Sequence, residues 1–569
     1  MNQEQYDVIV IGSGAGGGTV AQELAASGKK ILILERGDHL PVEADNWDPK
    51  TVFIDRKYRT TEQWVDKDGE LFTPNTHYWV GGNTSFYGAV LMRFRESDFE
   101  EVQHADGISP AWPISYNDLA PWYARAEAHW QVRGQSGVDP TAPPRKVDYQ
   151  HDAVTHEPEI ARLEKHLKEH CGWNPFPLPL GIRRDNSDPQ GSTQNLGTHV
   201  CVKCKFCGGY PCKVQAKSDA RTLCIAPIKD LPNVTLLTGR HVDQLISSNC
   251  GNHVDEVLCT GPDGEERFRG EMIVLAAGAV NSAALLLRST CEQHPNGLAN
   301  GSDQVGRNYM FHNMSAIISL TPHEVSADFP KTLGVNDFYN GDPDGSYEYP
   351  MGHVQTLEYM TGDVIEGQVS EMIPHWLIPD WLSENIGKRM LSFLVLSEDL
   401  PSADNRVRWD GERVHLAYTF SNLEGHERLV KKFDGALDVF CEKSRWFSDH
   451  HFQFTQLLPI YGTAHQCGTA RMGNDPETSV VNADCRAHEV DNLYIADTSV
   501  FVSSAAVNPT LTLVANAMRV ASIIDARLEG RLAKPTTYQE QIAETPPKPY
   551  EKKPGWFTRL LILLGLRQA

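Results

Sequence analysis

After a polar start, Met1 to Gln5, the residues Val8, Ile9, Val10 and Ile11 form a short continuous apolar run. Such a run predicts a strand buried on both faces of a parallel sheet; a half-exposed strand would alternate. Seven residues rich in glycine follow, Gly12 to Gly18, then a helix-like stretch from Thr19 to Ser27 and a second apolar run, Ile31 to Leu34, closed by Glu35. Further on, Asn233 to Leu237 and Met272 to Ala277 read as short strands of the same sheet. Leu493 to Ala496 is another apolar run, ending at Asp497, and a helix is predicted from about Leu511 to Arg527. Beyond Arg531 the pattern turns polar and proline-rich, which reads as an extended linker. The closing stretch, Trp556 to Arg567, places Phe557, Leu560, Leu561 and Leu564 on one helical face, flanked by Lys552, Lys553, Arg559 and Arg567. It is too short to span a bilayer. An interfacial helix or a partner-docking helix fits it, as does one that packs back on its own protein.

At 569 residues the chain is several times a typical domain, so a single core is not expected. Its 40% hydrophobic and 22% charged residues exclude global disorder. A net charge of −22 argues against a phosphate-binding surface, so no nucleic-acid partner is expected. There is neither a long apolar span nor a basic-then-apolar leader, and the expected location is cytoplasmic, with peripheral membrane contact through the C-terminal segment.

The strand–glycine–helix–strand–acid succession predicts a dinucleotide site. Gly12 permits the tight turn, Gly14 lets a pyrophosphate approach the backbone, and Gly17 lets helix and strand pack closely. Glu35 is placed to accept hydrogen bonds from an adenosine ribose. The motif by itself does not separate FAD from NAD. Asp497, at the carboxyl end of a strand, lies where α/β sheets hold ligands, although a helix N-cap explains it equally. A helix beginning after Asn508-Pro509-Thr510 would present its positive N-terminal end to a ligand lying there.

Four of the twelve cysteines fall in one stretch, Cys201, Cys204, Cys207 and Cys212. Thiolates so close suit an iron–sulfur cluster. Structural zinc, disulfides, or reduced thiols shaping a loop fit the same spacing, and the spacing leaves all of them open.

Several ordered segments resemble the glucose–methanol–choline (GMC) oxidoreductases. The stretch Trp79-Val-Gly81-Gly82-Asn83, with Tyr87-Gly88, Arg93 and Asp98, resembles the first family signature. Ala277-Gly278-Ala279-Val280-Asn281-Ser282 is similar to the second, departing at Ala283 and Thr290. Val305 to Asn308, His465-Gln-Cys-Gly468-Thr469, Asn492 to Asp497 and Asn508-Pro509-Thr510 continue the match in family order.

The resemblance implies an α/β fold. A doubly wound, Rossmann-like FAD-binding domain (1–110, 196–315 and 462–532) would join a discontinuous α+β substrate domain (111–195 and 316–461) whose sheet lies over the flavin. The linker and amphipathic segment would occupy 533–569. It also implies that a residue at Val242 touches the adenine, and that Gly81, Gly82, Asn83, Pro509 and Thr510 contact the FAD. His465 would be the base and Asn508 the holder of the substrate oxygen. A histidine suits the first task because its ordinary pKa is near 6.5. Phe86 stands where some relatives tether the flavin to a histidine, so FAD is expected to be non-covalent, and His77 upstream is given no role. In some members a Cys-rich loop carries an iron–sulfur cluster drained by a cytochrome. Others have similar loops followed by Ala-Lys, like Ala216-Lys217, with no known metal requirement.

The expected activity is oxidation of a CH–OH group of an alcohol or sugar by proton abstraction and hydride transfer to the flavin. Electrons would pass to a non-nicotinamide acceptor, such as a cytochrome or a small subunit. The alternatives are an oxidase that releases hydrogen peroxide, and a degenerate flavoprotein kept as an assembly subunit.

Overall fold

The first apolar run forms strand β1, Gln5–Ile11, and the second forms β2, Ile31–Leu34. Between them runs helix α1, Ala15–Ala25. The computed structural model describes residues 5–184, 199–321, 323–325, 329–358, 387–441, 453–462 and 464–531. These all belong to one compact unit that ends at Lys534, and the linker and amphipathic segment expected at 533–569 lie outside the described residues.

β1 is flanked on both sides by parallel neighbours, β2 and the strand Gly264–Leu275. That explains the unbroken apolar run Val8 to Ile11, where neighbours pair on both sides. Val234–Leu237 extends the parallel sheet beyond β2, and Leu493–Ile495 extends it beyond Gly264–Leu275. The upstream part of Gly264–Leu275 leaves this ladder to pair antiparallel with Val254–Gly261, which pairs with His241–Ser247. The sequence reveals only the apolar end of this long strand, because its outer half, Glu265 to Glu271, is mostly charged, as in an exposed ribbon.

α1 starts four residues before the expected Thr19, with Gly14 as its N-cap. Glycine is a poor helix former, and here burial overrides propensity. All but one of the residues of α1 are buried, and it packs against the helix Thr510–Leu528.

A second sheet is wholly antiparallel. Its strand order is Gln453–Leu457, Asn313–Leu320, Met390–Ser397, His353–Thr356, Leu333–Val335 and Phe176–Pro177. Helices Pro158–Glu169 and Leu423–Phe440 bury Leu163, Leu167, Phe433 and Leu437 with its core. Met314, Gln355 and Leu394 from this sheet line the cavity described below. The helix Tyr116–His129, which the sequence places in the substrate domain, joins the core of the parallel sheet and packs on Thr510–Leu528.

Within that core, Arg93 and Arg145 both clamp the carboxylate of Glu127. Arg93 Nε and Nη2 donate to its two oxygens at 2.9 and 2.6 Å, and Arg145 Nη2 and Nη1 do so at 2.9 Å each. Burial alone would raise the Glu127 pKa, and the two guanidiniums overcome it, so the carboxylate stays charged. Removing it leaves two buried cations facing each other. Glu127→Ala is therefore expected to destabilise the protein by about 3 kcal/mol or more in urea unfolding. A change below about 1 kcal/mol would show that the cluster contributes little.

Candidate active site

A cavity of about 610 Å³ opens where the carboxyl ends of the parallel strands face the antiparallel sheet. The β1–α1 turn forms one wall. Gly12 has φ of +99°, and a Cβ there would lie 2.4 Å from the Ala276 carbonyl oxygen, so no other residue fits. At Gly14 a Cβ would meet nothing within 4 Å, because the backbone faces open cavity. The amides of the first turn of α1 begin here, a ready anion site. Gly17 is turned inward, where a Cβ would come within 2.0 Å of the Gly12 carbonyl oxygen.

Glu35 lines the cavity and accepts from Ser13 N at 3.1 Å, Ser13 Oγ at 2.5 Å and Gly37 N at 2.8 Å. Ser13, which the sequence reading passed over, ties this acid to the turn. Ser13 Oγ also receives the amide of Gly81 at 3.1 Å, so the two glycine segments are linked. Val242 lies inside the strand His241–Ser247 and lines the same part of the cavity, where Arg240 N donates to the Glu35 carbonyl at 2.9 Å. Gly82, Asn83, Asp497, Pro509 and Thr510 also line the cavity, whereas Gly17 and Gly81 stand behind the wall.

Asp497 is both things the sequence allowed. It caps the turn Thr498–Val500 by accepting from Ser499 N at 2.9 Å, and it lines the cavity. Its other oxygen accepts from Gly278 N at 2.9 Å and Ser282 Oγ at 2.5 Å.

A dinucleotide with a flavin at one end fits this donor set. An open glycine cradle faces two helix N-termini, those of α1 and of Thr510–Leu528, and an acid lies beside Val242. Phe86 lines the cavity, and so does His77, whose ring stacks on it at 3.9 Å.

His465 and Asn508 line the cavity together with Met314 and Gln355 of the antiparallel sheet. His465 is half-buried, and desolvation pushes its pKa well below 6.5, with His312 and Lys331 adding to the shift. Asn508 is buried, and its Oδ1 has no hydrogen-bond partner among the described residues.

His312 was not singled out in the sequence, although it follows the Val305–Asn308 segment closely. Its ring lies edge-on to His465, 5.2 Å between centroids, and its Nε2 donates to the Ser504 carbonyl at 2.9 Å. Asp399 fixes both neighbours: it accepts from His312 N at 2.9 Å and from Ser504 Oγ at 2.8 Å. The segment leading to Asn508 and the support beneath His465 thus share one buried carboxylate.

Among the described residues no group of three or more His, Cys, Asp or Glu is placed to hold a metal ion, although Cys201, Cys204, Cys207 and Cys212 are all described. The ammonium of buried Lys217 closes the loop instead, donating to the carbonyls of Cys207, Tyr210 and Ser85 at 2.6, 2.9 and 3.3 Å. In this loop burial raises the thiol pKa of Cys201 to about 11 and of Cys207 to about 12. As arranged, the four cysteines do not fit an iron–sulfur centre.

Profiles described as GMC oxidoreductase match residues 6–314 and 425–517. The chain is 31% identical over 552 residues to the 6'''-hydroxyparomomycin C oxidase of Streptomyces lividus, covering 92% of each chain. It is 29% identical to the paromamine 6'-oxidase of Streptomyces fradiae, again with 92% of each covered. Among solved structures, pyridoxine 4-oxidase from Mesorbium loti superposes with a TM-score of 0.62 at 19% identity, over 91% of this chain and 98% of that one. A fold of this type with such a cavity defines a flavoprotein oxidoreductase. The chain belongs to the GMC oxidoreductase family.

Because the Gly14 Cβ position is open, Gly14→Val should fold normally while filling the cradle. Purification is expected to yield colourless apoprotein with an unchanged circular dichroism spectrum. A variant that retains its flavin would place the pyrophosphate elsewhere.

Proposed function

We propose that this enzyme oxidises a CH–OH group of an alcohol or sugar, with FAD bound non-covalently along the glycine-lined cavity. The observation that carries this reading is the position of His465 and Asn508 on the cavity that the β1–α1 turn walls from the other side. When bound, FAD supplies the two-electron acceptor that no side chain provides. Gly14 and the first turn of α1 would hold its pyrophosphate, Glu35 its ribose and Val242 its adenine.

The chain's own task is to orient the alcohol and take its proton. His465 does the second. Its lowered pKa keeps the ring neutral at physiological pH, the state in which an imidazole can accept a proton. Asn508 cannot act as a base, but its amide offers a donor to the substrate oxygen and an acceptor besides. His312, held through Ser504 and Asp399, keeps the base and the segment carrying Asn508 in register. An assembly subunit without activity would have no reason to keep this arrangement.

For the acceptor, molecular oxygen has the better support. Two relatives that align along nearly the whole chain are named oxidases, and the cysteine loop is closed by a lysine. Turnover should consume oxygen and release hydrogen peroxide in equal amounts. Turnover only with artificial dyes or a cytochrome would move the enzyme to the dehydrogenases served by a partner.

His465→Ala is expected to slow flavin reduction by about a hundredfold or more while flavin remains bound; near-normal rates would remove it from the base role. Protonation fills the lone pair the base needs, so kcat/KM should fall with acidity only below pH 6.5. An acid limb at or above that value would contradict a neutral His465.

A further inference from the structure

We propose that Lys331 and Glu358 form a polar subsite that recognises adjacent hydroxyls, so that the enzyme prefers sugars and polyols to simple alcohols. This rests on the alcohol-oxidising reading above and names its substrate class. Lys331 lies just before the strand Leu333–Val335, and Glu358 just after its antiparallel partner His353–Thr356. The ladder pairs Gly334 with Gln355, and continuing that register outward sets Lys331 opposite Glu358. Their side chains meet there, with Nζ donating to Oε1 at 2.9 Å. Both line the cavity with Gln355 and His465, and Lys331 is near enough to the base to act on its charge.

The pair is held in place from two sides. A Cβ on Gly88 would come within 1.7 Å of Lys331 Nζ, and one on Gly208 within 2.4 Å of Glu358 Cδ. The side chains are 6% and 15% exposed. A buried ion pair brings little net stability, since the cost of taking both charges out of water offsets their attraction, and apolar residues would pack this wall as well. Met314, Leu357, Leu394 and Leu458 do so nearby.

What an ion pair offers and leucines do not is complementary hydrogen bonding. An ammonium only donates, a carboxylate only accepts, and a hydroxyl does both. Two neighbouring hydroxyls can therefore accept from Lys331 and donate to Glu358 at once. A monohydric alcohol leaves both charged groups without those bonds.

The test measures kcat/KM of the holoenzyme for hexoses, hexitols and amino sugars, and for straight-chain primary alcohols. The unaltered enzyme is expected to favour the polyhydroxylated set. In Lys331→Met, and separately in Glu358→Gln, the ratio of the two sets should fall by about tenfold to a hundredfold. The ratio does not depend on how much of a variant folds. An unchanged ratio, or an unaltered enzyme that favours the simple alcohols, would overturn the subsite while leaving the activity standing. Failure of every compound to bleach the flavin would overturn the functional reading itself.

Discussion

One buried carboxylate holds the site together. Asp497 accepts from Gly278 N and Ser282 Oγ with one oxygen and from Ser499 N with the other. It thereby caps the start of the helix Ala279–Arg288 and the turn Thr498–Val500 at once. Anionic acceptors are favoured at helix N-termini, where amides lack intrahelical partners. Burial alone raises the Asp497 pKa, and these donors work against that rise. The consequence is that segments some two hundred residues apart in the chain are fixed against the end of β1, where the cavity opens.

Around this point the two sheets divide the work. The parallel sheet contributes backbone: glycine turns, helix N-termini and strand ends, which suit a cofactor that presents phosphates and ring edges. The antiparallel sheet contributes side chains: apolar residues with one ion pair and one glutamine, which suit a substrate that differs from relative to relative. His465 and Asn508 come from the C-terminal block between these walls. Their positions are supported by His312 and Asp399, which flank the paired strands Asn313–Leu320 and Met390–Ser397.

The parts of this arrangement that could be read from the sequence are those that depend on local sequence. The β1–turn–α1–β2 unit was legible because unbroken apolar runs flank a glycine pattern with few alternative uses. The helix start was misplaced because glycines inside α1 defy propensity and are tolerated only by burial against the helix Thr510–Leu528. His465 and Asn508, which line the cavity, stood out in the sequence through their flanking motifs. Lys331, Gln355 and Glu358 were not, since they meet through strand register and no short motif marks them. The cysteine run is ambiguous for a different reason: thiol spacing suits a metal, while Lys217, five positions beyond Cys212, donates to carbonyls of the same loop. Ala216-Lys217 was the available signal, and only the geometry gives it meaning.

The central claim is that the cavity holds a flavin reduced by a hydroxylated substrate, with the cysteine loop playing no redox part. An absorbance spectrum of anaerobically purified protein, with iron and sulfide analysis before and after adding a polyol, tests it most directly. The account predicts flavin bands that bleach on addition, with no stoichiometric iron or sulfide. A protein without flavin bands, or one with about three or four irons per chain and broad cluster absorbance, would contradict it.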